Sequence, residues 1–196
     1  MIIKRSDNLY FDDLATYIIF IVATTLTIEI YQSEAAPYKE NHKLKFDAKQ
    51  VPRRLIIYPF TLLNDFFINH KWPQELRIEE VDRELPPESA KLGLGMLEKI
   101  FSMYSSAFAN YYEKNINTIR SKFGYDTHTW PTVWNFARVV RNAFYHNGCI
   151  NFDNQNAKVN WNRLTYEYSD NGKAILNTDI WPGDLIYLMM EMDTYL

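Results

Sequence analysis

One change of texture limits the folds open to this chain. Up to Asn147 the apolar residues recur mostly at helical intervals; after Gly148 they form short β-prone runs separated by Asn, Asp and Gly. A chain of 196 residues can bury one sizeable core and is short for two. Its 47% hydrophobic and 16% aromatic content excludes a disordered chain. Both textures are therefore expected to share a single domain, residues 1–196, as a mainly α helical bundle with a small antiparallel β insert at about 149–176.

The helical part reads as follows. Asn8 or Asp12 caps a first helix through about Tyr31, and Ala35–Pro52 is a polar connection bounded by prolines. Arg53–His70 carries Leu55, Ile56, Leu62, Leu63, Phe66 and Phe67 at roughly helical spacing, with a kink or late start at Pro59. Pro87 opens a long helix to about Arg120, Trp130-Pro131 stops and restarts the chain, and a helix runs from Thr132 to Asn147. In the insert, Cys149–Phe152, Lys158–Trp161, Leu164–Tyr168 and Lys173–Leu176 predict three or four strands, with Asp170-Asn171-Gly172 as a hairpin turn. Pro182 opens a closing helix, Asp184–Leu196.

The apolar stretch Leu14–Ile28 is shorter than the roughly 20 residues of a spanning helix, and acidic Asp12 and Asp13 before it do not suit a signal peptide. A buried core helix, no membrane partner and a cytoplasmic protein are expected. The single cysteine, Cys149, fits a reducing compartment and reads as a small buried hydrophobe. The formal net charge of −3 gives the surface as a whole no attraction for polyanions, so nucleic-acid binding would need a local basic patch.

The densest chemistry lies on Thr132–Asn147. At about 100° per residue, Val133, Phe136, Ala137, Val140, Ala143 and Phe144 fall in one arc, the core face. Arg138, Asn142 and His146 follow at four-residue steps along the opposite ridge, with Arg141 on the flank beside Tyr145 and Trp134. Gly148 supplies the left-handed residue at C′. Arg141 and His146 are about 140° apart on a straight helix, so a shared site needs an uncoiled helix end or a second copy facing the first.

Arg141-Asn142-Ala143-Phe144-Tyr145-His146 resembles the Arg-x(4–6)-His signature of the HEPN superfamily, with a polar residue directly after the Arg. The run Arg141–Gly148, followed by Ile150 and Phe152, also looks like uncharacterised bacterial, plasmid and phage HEPN proteins with a β insert. The resemblance implies a HEPN-like bundle that pairs as a homodimer and a metal-independent endoribonuclease without cofactors. It implies a setting as a toxin or phage-defence effector, with an antitoxin or immunity partner. By resemblance Arg141 and His146 take the catalytic positions and Asn142 the polar one. Some HEPN toxins have a tyrosine two residues after the His, modified by a partner nucleotidyltransferase; Gly148 stands there in this chain.

The residues suit that chemistry on their own account. RNA cleavage by its own 2′-hydroxyl needs a proton acceptor, a proton donor and a charge to offset the phosphorane. Histidine exchanges protons near neutral pH, and arginine presents a charged fork to phosphate. Asn142, one turn from His146, is placed to orient it, while Arg138, Tyr145 and Trp134 are the expected RNA-binding residues. The alternative is a non-catalytic HEPN module that binds RNA or a protein partner and dimerises. His42, His70 and His128 show no metal-ligand spacing and read as structural; no metal residues are expected. Gly93-Leu94-Gly95 reads as a helix-packing feature, Trp130, Trp134, Trp161 and Trp181 most simply as core or sheet-packing residues although Trp134 could stack a base, and Asp184 with Glu191 as no catalytic pair.

Overall fold

The computed structural model describes residues 2–32, 41–63, 65, 69, 71–91 and 106–196. Strand β1 (Ile2–Lys4) leads into helix α1 (Phe11–Gln32), followed by β2 (Leu44–Asp47), β3 (Arg53–Tyr58), the single turn α2 (Phe60–Leu63) and β4 (Glu75–Asp82). Then come α3 (Ser106–Phe123), α4 (Thr132–Tyr145), the hairpin β5 (Lys158–Trp161) and β6 (Leu164–Glu167), and α5 (Pro182–Asp193).

The expected mainly α, HEPN-like bundle is overturned. The protein is mixed α/β, with a four-stranded antiparallel sheet in the order β1-β4-β3-β2 besides the two-stranded hairpin. Arg53–Tyr58 is a strand because its side chains alternate: Leu55 and Ile57 are buried, and Arg54, Ile56 and Tyr58 are only partly so. The pattern repeats in β4 with buried Leu76 and Ile78, and in β2 with buried Leu44 and Phe46. Pairing of Ile57 with Ile78 and Leu55 with Glu80 sets the register. At the edge of the inner face, Arg53 ion-pairs with Glu80 at 2.8 Å; on the outer face the Arg77 guanidinium lies 4.2 Å from the Tyr58 ring centroid. The polar connection expected up to Pro52 thus contains a strand, and the helix expected from Arg53 is one only from Phe60.

The inner face of the sheet joins the same apolar cluster as the helices. Helix α1 contributes Leu14, Ile18 and Val22, all fully buried, which matches the expected core helix. Among the described residues no helix is long and apolar enough to cross a membrane. Pro87 opens a turn instead of a helix, with the Ala90 N–H donating to the Pro87 carbonyl at 2.9 Å. Gly93-Leu94-Gly95 and His70 lie outside the described residues.

The insert has one hairpin where three or four strands were expected. Asn162, at φ 50°, takes the left-handed conformation in the turn joining β5 to β6. Cys149 and Ala174 make an isolated bridge. The Asn171 side chain accepts from the Phe152 N–H at 2.7 Å and donates to the Phe152 carbonyl at 3.0 Å, where a ladder would have needed a neighbouring backbone. Cys149 is half-buried and not a core residue.

Helix α5 is locked to the β2–β3 turn. The carboxylate of fully buried Asp184 accepts the backbone N–H groups of Lys49 at 2.8 Å, Gln50 at 2.8 Å and Trp181 at 2.9 Å. Burial pushes its pKa up to about 6, against the pull of those three bonds. Gly183 permits this approach, since a Cβ there would lie 2.7 Å from the Asp47 carbonyl oxygen.

Candidate functional site

Helix α4 sits between α3 and α5 on one side and the β5–β6 hairpin on the other. Its buried residues are Val133, Trp134, Phe136, Ala137, Val139, Val140 and Ala143. Phe136 stacks on Tyr166 with ring centroids 5.6 Å apart, and Phe144 meets Phe108 edge-on at 5.7 Å. Trp134, the candidate base-stacking residue, belongs instead to this core, as its simpler reading had it. It is fully buried, stacks between Tyr111 and Tyr112, and its indole N–H donates to the Met192 carbonyl at 3.0 Å, so it has no face free for a base.

The side of α4 away from the core carries Asn135, Arg138 and Asn142, with Arg141 and Tyr145 on its flank, as the wheel predicted, and none of them is fully buried. The helix ends at Tyr145 and His146 is its C-cap, with φ −116°. The left-handed C′ residue is Asn147 (φ 54°), followed by Gly148 (φ 80°), whose N–H donates to the Ala143 carbonyl at 2.8 Å.

Arg141 and His146 do not meet. The Arg141 guanidinium is ion-paired with Glu113 of α3, donates to Asn142 Oδ1 at 3.0 Å and lies 4.8 Å from the Tyr145 ring centroid. His146 bonds through Nε2 to the Asn151 side-chain nitrogen at 3.0 Å. Asn142, expected to orient His146, is therefore committed to Arg141, and Asn151 does the orienting. Glu113 and Asn151 had no signal in the sequence, because neither lies on α4.

Two clefts adjoin along this face, both lined by Thr127, Arg138 and Asn142. One, of about 270 Å³, continues over Tyr112, Glu113, Arg120, Tyr125 and Arg141. The other, of about 220 Å³, continues between α4 and the insert over His128, Asn135, Asn151, Asp153, Asn154 and Lys158. His128, read as structural, is thus a cleft residue; a 3-10 turn at Thr127–Thr129, capped by Asp126, presents it. His146 lines neither cleft. Burial lowers the Arg138 pKa and raises the Tyr112 phenol, since each is drawn away from solvent.

A third cleft, near the β2–β3 turn, is lined by groups already engaged. The buried Lys49 ammonium donates to the carbonyls of Glu88, Ala90 and Thr178, and Asp179 takes both Tyr166 and Lys173. Among the described residues no cluster of three or more His, Cys, Asp or Glu side chains is arranged to hold a metal ion. Comparison of the chain with protein-family models, curated proteins and solved structures gives no match.

Proposed function

We propose that this protein binds a single strand of RNA along the exposed face of α4 and cleaves it as a metal-independent, HEPN-type endoribonuclease. The observation that carries the reading is local charge. In a chain of net charge −3, the two adjoining clefts gather Arg120, Arg138, Arg141 and Lys158 against Glu113 and Asp153. A cationic groove beside exposed aromatic rings is what a single strand needs, because phosphates track the charges and bases stack on the rings. Tyr125 is 83% exposed on this groove, and Tyr145, at 66%, lies against Arg141.

In the proposed reaction the 2′-oxygen bonds to phosphorus and the bond to the 5′-oxygen breaks, leaving a 2′,3′-cyclic phosphate. His146 exchanges the protons, and Arg141, which stays paired with Glu113 while the strand binds, turns to offset the phosphorane charge only as it develops. Because the two side chains have separate partners within one chain, the reading needs a second copy to complete the site. It therefore includes a homodimer joined at the α4 face. The HEPN relationship is proposed for the helix bearing Arg141–His146, not for the bundle that the four-stranded sheet excludes. A toxin or defence effector, held in check by an antitoxin or immunity partner, is the setting that chemistry fits.

A second reading, a non-catalytic RNA-binding module, is favoured by the Glu113 ion pair that occupies Arg141 and by the place of His146 behind Asn151, outside the lining of either cleft. Incubation of end-labelled single-stranded RNA with the purified protein in EDTA separates the two. The first reading expects cyclic-phosphate ends and a loss on the order of 10²-fold or more in Arg141→Ala and His146→Ala. Tight binding without cleavage selects the second, and equal cleavage by wild type and His146→Ala rejects the proposed site.

A further inference from the structure

Arg138 carries its charge into a half-buried position where no carboxylate of the described residues pairs with it. Its Nε donates to Asn135 Oδ1 at 3.2 Å, and among the described residues neither terminal amino group has a hydrogen-bond or ion-pair partner. Charges drawn partly out of solvent are ordinarily paired, as half-buried Arg54 and Arg83 are with Asp47. The acidic group whose charge reaches Arg138 is Asp153, exposed at the rim of the same cleft and outside ion-pair range.

The amides around Arg138 are turned to suit an anion. Asn135 Oδ1 accepts from Arg138, Asn142 Oδ1 from Arg141, and Asn154 Oδ1 from the Asn156 N–H. Each oxygen is spent inside the protein, which leaves each NH2 group as the end available to a ligand. With the Lys158 ammonium on the far wall, donors outnumber acceptors around the cleft.

We propose that this cleft, about 220 Å³ in volume, is an oxyanion subsite that takes a phosphate group at Arg138, with the NH2 groups of Asn135 and Asn142 as further donors. It stands on the unpaired guanidinium, and it rests on the RNA reading only for what the phosphate belongs to: a strand's phosphodiester, or a free phosphate.

The test uses the full chain and two probes, inorganic phosphate and a short fluorescein-labelled single-stranded RNA. Phosphate is expected to shift the side-chain NH2 resonances of Asn135 and Asn142 and to compete with the RNA. Arg138→Gln is expected to weaken RNA binding roughly fivefold to tenfold and to flatten its log–log salt slope by about 0.7. Asn135→Asp, which brings a carboxylate to Arg138 in the ligand's place, is expected to abolish the phosphate shifts while keeping the arginine; it decides the matter should Arg138→Gln fail to fold. Unchanged RNA affinity and slope in both variants, with no phosphate shifts in wild type, overturns the subsite and leaves the RNA reading standing. Phosphate shifts in a wild type that binds no RNA support the subsite for free phosphate and reject the RNA reading. Silence from both probes rejects both.

Discussion

Replacing Glu113 with glutamine removes the carboxylate that holds Arg141, and it should change how RNA affinity depends on salt. In wild type, Arg120 and Arg138 have no carboxylate partner among the described residues, and Lys158 approaches Glu167 only to 3.8 Å with both side chains exposed. Arg141 is paired. Three available cations on a single strand give a log–log slope of about −2.1, so binding should weaken about 20-fold between 50 and 200 mM salt. Freeing Arg141 adds a fourth contact, steepening the slope to about −2.8 and the loss to about 50-fold, with tighter binding at the low-salt end. Fluorescence anisotropy across a potassium chloride series reads both quantities. Arg141→Gln in the Glu113→Gln background should restore the shallower slope. A Glu113→Gln slope equal to or shallower than wild type would refute the argument, because it would mean that Arg141 never reaches a phosphate.

Other expectations concern the frame that holds the groove. Trp134→Ala empties a fully buried indole site and removes one of the donors to the Met192 carbonyl, and should cost about 3–5 kcal/mol in urea unfolding. A loss under half that would place the indole outside the core. Asp184 gives a pH signature. Its native pKa of about 6 lies above the ordinary 3.8, so between those values the native state binds more protons than the unfolded one. Its contribution to stability should therefore fall as pH rises from about 4 to 6 and stay level above. The difference between wild type and Asp184→Asn unfolding midpoints across that range isolates this contribution; a difference that does not vary with pH contradicts it.

What the sequence disclosed and what it hid divide along the range of the interactions. Helix α4 and its stop were legible because Trp130-Pro131, the apolar arc and Asn147-Gly148 are all local signals. Helices α1 and α5 and the β5–β6 hairpin were legible for the same reason. The four-stranded sheet was not. Arg53–Tyr58 holds a run of three aliphatic residues that fits a helix as well as a strand until its partner is known. That partner, β4, alternates Leu76 and Ile78 with charged neighbours, and β1 pairs with it from the far end of the chain. Strand β1 has three residues, too few to carry a pattern. The exposed α4 ridge was correctly laid out, but the role of each side chain depended on residues brought in from elsewhere. Glu113 claims Arg141, Asn151 claims His146, and the packing of Tyr111 and Tyr112 draws Trp134 inward.

The claim that a single RNA strand lies along α4 is most directly tested by photo-cross-linking. A 4-thiouridine-substituted single-stranded RNA is irradiated with the intact protein, and the attached peptides are identified by mass spectrometry. Cross-links should fall on Tyr125, Tyr145 or the Asn151–Lys158 segment and fade in Arg138→Gln. Cross-links confined to the outer face of the sheet, around Tyr58 and Arg77, would contradict the account.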